Sequence, residues 1–169
     1  MYFCRQRFIN QLKLIVNCGE FRPIAGETNI FSAIGEESSD YDNLIKAARK
    51  LSNHGYRVYI LPNPRNCRTA DFIFEKKGIL GLYDLKTVHG KGSVGTQLLD
   101  SIGQTNRVIL NMTTNYNARL LSSEIKAYFE ANEQAIEVLI FKGKKSISIS
   151  RWQVEAPRFN RLFRKKYEK

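Results

Sequence analysis

The chain lacks the covalent and metal staples common in small domains. Its three cysteines, Cys4, Cys18 and Cys67, are odd in number and form no CxxC pair. Neither a disulfide framework nor a cysteine zinc site is indicated, and reduced thiols are expected. No apolar run approaches the roughly 20 residues of a membrane-spanning helix. Arg5, Arg7 and Lys13 interrupt the first twenty residues, which therefore make a poor signal peptide; if the protein is exported, the signal is expected elsewhere. There is no internal repeat and no low-complexity stretch. Gly90, Lys91, Gly92 and Gly95 invite a phosphate-loop reading, but the GxxxxGK[ST] spacing is absent, which excludes it. Acidic residues are also scarce: 16 Asp and Glu against 27 Lys and Arg leave a net charge of +11. Such a charge says nothing about fold, but it favours an anionic partner, either nucleic acid or an acidic protein.

What is present is enough for one core in 169 residues, with ordinary apolar content. Phe8, Leu12, Ile15 and Val16 predict an amphipathic helix over 1–17, stopped at Cys18-Gly19. Residues 19–35 read as irregular or short extended structure. A second helix opens near Ser38 or Ser39, where Ser39 and Asp42 form a variant capping box. Its apolar face is Leu44, Ile45, Ala48 and Leu51, and Gly55 ends it. His54 suits the C-terminal end of that helix as a charge partner. Residues 57–61 read as a strand, followed by a loop with Pro62 and Pro64 that carries Arg65 and Arg68. Further along, the pattern predicts a helix over 97–104, with Ser101 and Gln104 on one face, and a central strand over 107–112. A helix over 117–132 should bury Leu120, Leu121, Ile125, Tyr128 and Phe129. Two strands, 136–141 and 146–150, are joined through Gly143-Lys144-Lys145. In the tail, Phe159, Phe163 and Tyr167 recur every four residues among Arg158, Arg161, Arg164, Lys165, Lys166 and Lys169. This predicts a helix docked by its aromatics, with a basic face available to phosphates.

The most informative stretch is ADFIFEKKGILGLYDLKT, residues 70–87. Two β-rich runs flank Lys76-Lys77-Gly78, which predicts a hairpin. Side chains alternate along a strand, so Asp84 and Lys86 share a face while Tyr83 and Leu85 take the other. With Lys77 and Gly78 as the loop, paired residue numbers sum to 155, and Asp71 falls opposite Asp84. Like charges directly opposite destabilise a sheet. A divalent cation is the simplest use for two carboxylates placed so, beside a lysine.

Asp71, twelve intervening residues, then Asp84-Leu85-Lys86 resembles the PD-(D/E)xK signature of the restriction-endonuclease-like nucleases, with Ala70 where that signature often has proline. The order of helix, strand, hairpin, Gly-rich link, helix and strand resembles the nuclease domain of contact-dependent growth inhibition toxins and related phage-borne toxins. The resemblance spans 38–151, leaving 1–37 as an N-terminal extension and 152–169 as a basic amphipathic tail. It implies an α/β fold with a restriction-endonuclease-like core, in which a mixed central sheet containing an antiparallel hairpin meander is flanked by helices.

The resemblance implies a Mg2+ (or Mn2+) ion on Asp71, Asp84 and the Leu85 carbonyl. Lys86 would then act on the attacking water or the transition state. Asp42 is either a helix cap or a further metal ligand. The related toxins carry a glutamine at the Gln104 position, which here is either a contact to nucleophile or phosphate, or a surface residue. Arg65 and Arg68 are either a phosphate clamp or solvated, and Lys91 and Ser101 complete the substrate-side candidates. His89 is either an acid–base group or a solvated loop histidine. The expected partner is DNA or tRNA, together with an acidic immunity protein. The expected site of action is the cytoplasm, reached as part of a larger toxin, with no membrane association. Two other readings stand beside this one: a nucleic-acid-binding module on a nuclease-like fold that has lost activity, and a protein-binding or structural component. Fold resemblance by itself licenses no activity.

Overall fold

Residues 2–33, 41–62, 69–90 and 94–169 are described by a computed structural model, in which the chain divides into two compact units, Met1–Tyr83 and Asp84–Lys169. The first unit opens with α1 (Tyr2–Val16). Leu12, with Val16 beside it, packs against Tyr59, Ile73 and Leu80. Phe8 and Ile15, expected on the buried stripe, are exposed, because the helix docks through one turn rather than along its length. Cys18, an exposed free thiol, follows the helix.

Residues 19–33 are more ordered than their composition suggests. They form β1 (Phe21–Pro23) and β2 (Ile30–Ala33), an antiparallel pair. α2 (Tyr41–Asn53) buries Leu44, Ile45, Ala48 and Leu51 as their spacing requires, and Ala47 with them. Gly55 takes φ +79°, and the Tyr56 N–H returns to the Leu51 carbonyl at 3.3 Å, closing the helix end. The cap Ser39 lies outside the described residues. α2 crosses over to β3 (Arg57–Ile60), which lies parallel to β2 through Ile30↔Val58. The segment expected to be an extension therefore supplies two strands of the first unit.

β3, β4 (Phe72–Lys76) and β5 (Ile79–Val88) form the expected antiparallel meander. Lys77 and Gly78 are the two-residue turn, both at positive φ (52° and 76°), as a primed turn requires. The register runs from Phe72↔Tyr83 to Lys76↔Ile79, each pair summing to 155. Gly81 is needed for packing: a Cβ there would come within 2.7 Å of the Tyr83 ring, which stacks on Phe74 at 4.6 Å.

From Asp84 the second unit takes over β5. It continues through α3 (Val94–Asp100), β6 (Arg107–Met112), α4 (Ala118–Ala131), β7 (Glu137–Lys142), β8 (Lys145–Ser150), α5 (Arg151–Val154) and α6 (Phe159–Glu168). β5, β6 and β7 run parallel, linked by helical crossovers, and β8 returns antiparallel. The result is a mixed sheet flanked by helices. One cluster joins Val108, Leu110, Val138 and Ile140 to Leu98, Leu121, Ile125 and Phe129, and includes the tail aromatics Phe159, Phe163 and Tyr167. The tail is therefore part of the core.

Two expectations need correction. Leu120 is half exposed, because it precedes Leu121 by one residue and so lies ~100° around the helix from it. α3 begins and ends earlier than 97–104. The N–H groups of Ser101, Ile102 and Gln104 bond three residues back, and Gly103 at φ +89° turns the chain. No described helix is long and apolar enough to cross a membrane.

Candidate functional site

Strand alternation puts Asp84 and Lys86 on one face of β5, and Lys86 Nζ stands 2.9 Å from Asp84 Oδ2. In-register neighbours show which face this is. Asp84 lies in a row with Val108 and Val138, and Lys86 in the next row with Leu110 and Ile140. All four apolar neighbours belong to the main cluster of the second unit. A charged pair is thus set at the margin of a hydrocarbon layer. Asp84 is 2% exposed, whereas the Lys86 side chain keeps 19% of its surface.

A carboxylate buried this far is costly unless its oxygens are satisfied. Among the described residues, Asp84 Oδ2 accepts no hydrogen bond, so Lys86 meets it as a charge without hydrogen-bond alignment. Tyr128, on α4, is the further neighbour. Its phenol bonds to Ser101 and Asn132. Burial holds that phenol above its ordinary range, the bonds to Ser101 and Asn132 pull the other way, and the Asp84 charge adds to the rise. Burial, more than the Asp84 charge, therefore keeps Tyr128 neutral. The Gln97 side chain on α3 also has a buried Oε1 without a described hydrogen bond.

That oxygen already faces one cation, the Lys86 ammonium at 2.9 Å, so a metal ion bound there would share the carboxylate with the lysine. Among the described residues no three His, Cys, Asp or Glu side chains group around one metal position. A zinc-type cage is therefore not built, and a third carboxylate from Asp42 is not assembled into one. A magnesium-like ion, which keeps several waters and takes only one or two carboxylates, does not require such a group. Asp42 stands exposed in the first turn of α2, where an acid suits the helix dipole.

The remaining candidates are placed as follows. Asp71 immediately precedes β4. Its N–H bonds to the Tyr83 carbonyl at 3.0 Å, and its carbonyl accepts from the Leu61 N–H at 2.9 Å, so its backbone is held on both sides. Leu85 pairs with Ile109 in the ladder to β6. Ser101, read as a substrate-side residue sharing a face with Gln104, is fully buried and donates to the Leu98 carbonyl at 2.6 Å. Gln104 instead lies beyond the helix end and donates to the Asp100 carbonyl at 2.9 Å, which caps α3. His89 is exposed, with Nδ1 3.4 Å from Thr113 Oγ1. Arg65, Arg68 and Lys91 lie outside the described residues.

The sequence reading placed Tyr128 on a buried face but overlooked its hydroxyl. The available signal was chemical: a phenol on an apolar helix face needs a polar partner within the core. Gln97 precedes Ser101 by one helical turn, a spacing that could have marked both as inward-facing.

No family model matches the chain, and no curated protein matches it. Among solved structures it is similar to a chain of a CdiA-CT/CdiI toxin and immunity complex from Burkholderia pseudomallei. The TM-score is 0.43 and the identity 14%, over 69% of this chain and 92% of that one.

Proposed function

We propose that the chain is a divalent-metal-dependent nuclease with a restriction-endonuclease-like core. The observation that carries this reading is Asp84, a carboxylate buried in a parallel strand, whose Oδ2 accepts no aligned hydrogen bond and faces the Lys86 ammonium at 2.9 Å. Asp84, with the Leu85 carbonyl, would hold a Mg2+ or Mn2+ ion, and Asp71 is the second carboxylate that the sequence resemblance implies. When bound, such an ion polarises water and neutralises phosphoryl charge. Lys86 would donate to a phosphoryl oxygen as negative charge develops there, or hold the attacking water. Its partial exposure leaves it open to substrate, while Asp84 behind it fixes its position.

Because water is the nucleophile, no 2′-hydroxyl is needed, and DNA and tRNA are both admissible substrates. The toxin role belongs to the same proposal and rests on the sequence resemblance: action in the cytoplasm of a target cell, with an acidic immunity protein as inhibitor. A second reading, a nucleic-acid-binding module without activity, is favoured by the exposed basic residues of α6.

Incubation of the purified protein with plasmid DNA and with total tRNA separates these readings, run with magnesium, manganese or chelator. Cleavage of either nucleic acid only when metal is present supports the nuclease. Binding without cleavage under every metal condition supports the module.

A further inference from the structure

A second feature of the Asp84–Lys169 unit is an open surface depression of about 500 Å³ lined by Thr113, Thr114, Asn115, Lys142, Lys144 and Lys145, with Met112 and Gly143. We propose that this depression binds a phosphate group of the nucleic-acid backbone, away from the bond that is cut. The identity of the ligand rests on the nuclease reading; the anion site itself does not.

Its position follows from the register. Val88, Met112, Lys142 and Lys145 form one row across β5, β6, β7 and β8. That row lies two rows beyond the one containing Asp84, on the same face. At ~3.3 Å per residue along a strand and ~4.8 Å between strands, the Lys142 position is ~16 Å from Asp84. The depression also lies at the carboxyl ends of three parallel strands, where open α/β sheets bind their ligands.

The donor chemistry selects the ligand. Among the described residues no carboxylate lines the depression; the Lys144 and Lys145 ammonium groups, the Thr114 hydroxyl and the Asn115 amide are of types that donate to phosphate oxygens, while the Thr113 hydroxyl donates to the Val88 carbonyl at 2.6 Å. Lys142 is held in place: its Nζ lies 4.0 Å from the centre of the Tyr167 ring and donates to the Tyr167 carbonyl at 3.3 Å. This also caps the C-terminal end of α6, so the helix's last-turn cations Lys165 and Lys166 are tied to the same end of the sheet. Lys144 and Lys145 are exposed at the hairpin tip and free to close on an anion. An acidic protein is the alternative for the test to exclude.

The test is binding to a labelled tRNA and a labelled DNA duplex in chelator, so that cleavage plays no part. Lys144→Glu/Lys145→Glu is compared with Lys13→Glu/Lys46→Glu, which has the same net charge but lies on α1 and α2. The hairpin variant should lose ~10-fold or more in affinity. It should also lower the slope of log K against log salt by ~0.7–0.9 for each phosphate it no longer neutralises, while the control keeps the wild-type slope. Inorganic phosphate should shift the amide resonances of Gly143 and Thr113–Asn115 in wild type and not in the hairpin variant. Equal losses in the two variants would reduce the effect to overall charge and overturn the proposal. Unchanged nucleic-acid affinity would also overturn it: with loss of phosphate binding alone it leaves a free-phosphate site, and with loss of polyglutamate binding an acidic-protein surface. Absence of cleavage with metal would count against the nuclease and leave this result standing.

Discussion

Lys86 Nζ and Asp84 Oδ2 lie 2.9 Å apart at neighbouring positions on one face of β5, and the carboxylate is the deeper of the two. Removing the lysine leaves a buried negative charge with one neighbour fewer. Lys86→Ala should therefore destabilise the metal-free protein, by less than the ~3–5 kcal/mol of a fully buried pair because Lys86 is partly exposed. Magnesium should restore more stability to this variant than to wild type, since the competing ammonium is gone. Chemical denaturation with magnesium and with chelator measures both. Equal magnesium gains in the two proteins would mean the ion does not bind beside Lys86.

Asp84→Asn should behave in the opposite way. It removes the buried charge, so the metal-free protein should be close to wild type or more stable. Metal that binds only the folded state stabilises wild type by ~2.7 kcal/mol at a hundred times its dissociation constant. That gain should largely vanish in Asp84→Asn. Thermal unfolding across a magnesium series is the measurement.

The hairpin and its register were legible in the sequence because both depend on local rules. A Lys-Gly turn permits positive φ, the side-chain period of two fixes the face, and the pairing of Phe72 with Tyr83 follows from the loop length. The parallel pairing of β2 with β3 was not legible, because nothing in Ile30–Ala33 specifies a partner separated from it by a whole helix. In the site, Asp84 and Lys86 were found together as read. Ser101 and Gln104 separated because the chain turns after Asp100: one hydroxyl went into the core and one amide to the helix end. Tyr128 met Ser101 and Asn132 only through packing, which periodicity does not record.

The tail offers a sharp separation of structure from binding. Phe163 is buried among the core of the second unit, so Phe163→Ala should cost ~3–5 kcal/mol. Arg161, Lys165 and Lys166 are exposed. Replacing all three with Gln should leave the unfolding midpoint nearly unchanged while lowering the salt slope of duplex binding by ~0.9 for each phosphate these side chains neutralise in wild type. An unchanged slope would confine the helix to packing.

Tyr128 predicts a pH signature. Burial raises its folded pKa above the ordinary 10.0, so the folded state retains the proton that the unfolded state releases. Its contribution is fully present below pH 10 and is lost as pH rises through the higher folded value. Tyr128→Phe should remove this share of the alkaline decline, leaving the shares of Tyr59, Tyr116 and Tyr167, whose values are also raised by burial. Denaturation midpoints taken from neutral pH to above pH 10 check it; parallel curves for the two proteins would contradict it.

The most direct test of the central claim is the initial rate of tRNA and plasmid cleavage as magnesium is titrated, for wild type and Asp84→Asn side by side. The expected result is a rate that rises with magnesium and saturates in wild type, falls to background in chelator, and stays at background in Asp84→Asn although that variant is folded. Cleavage that survives chelator, or that Asp84→Asn retains at the wild-type rate, would contradict the assignment of Asp84 as the metal-holding carboxylate.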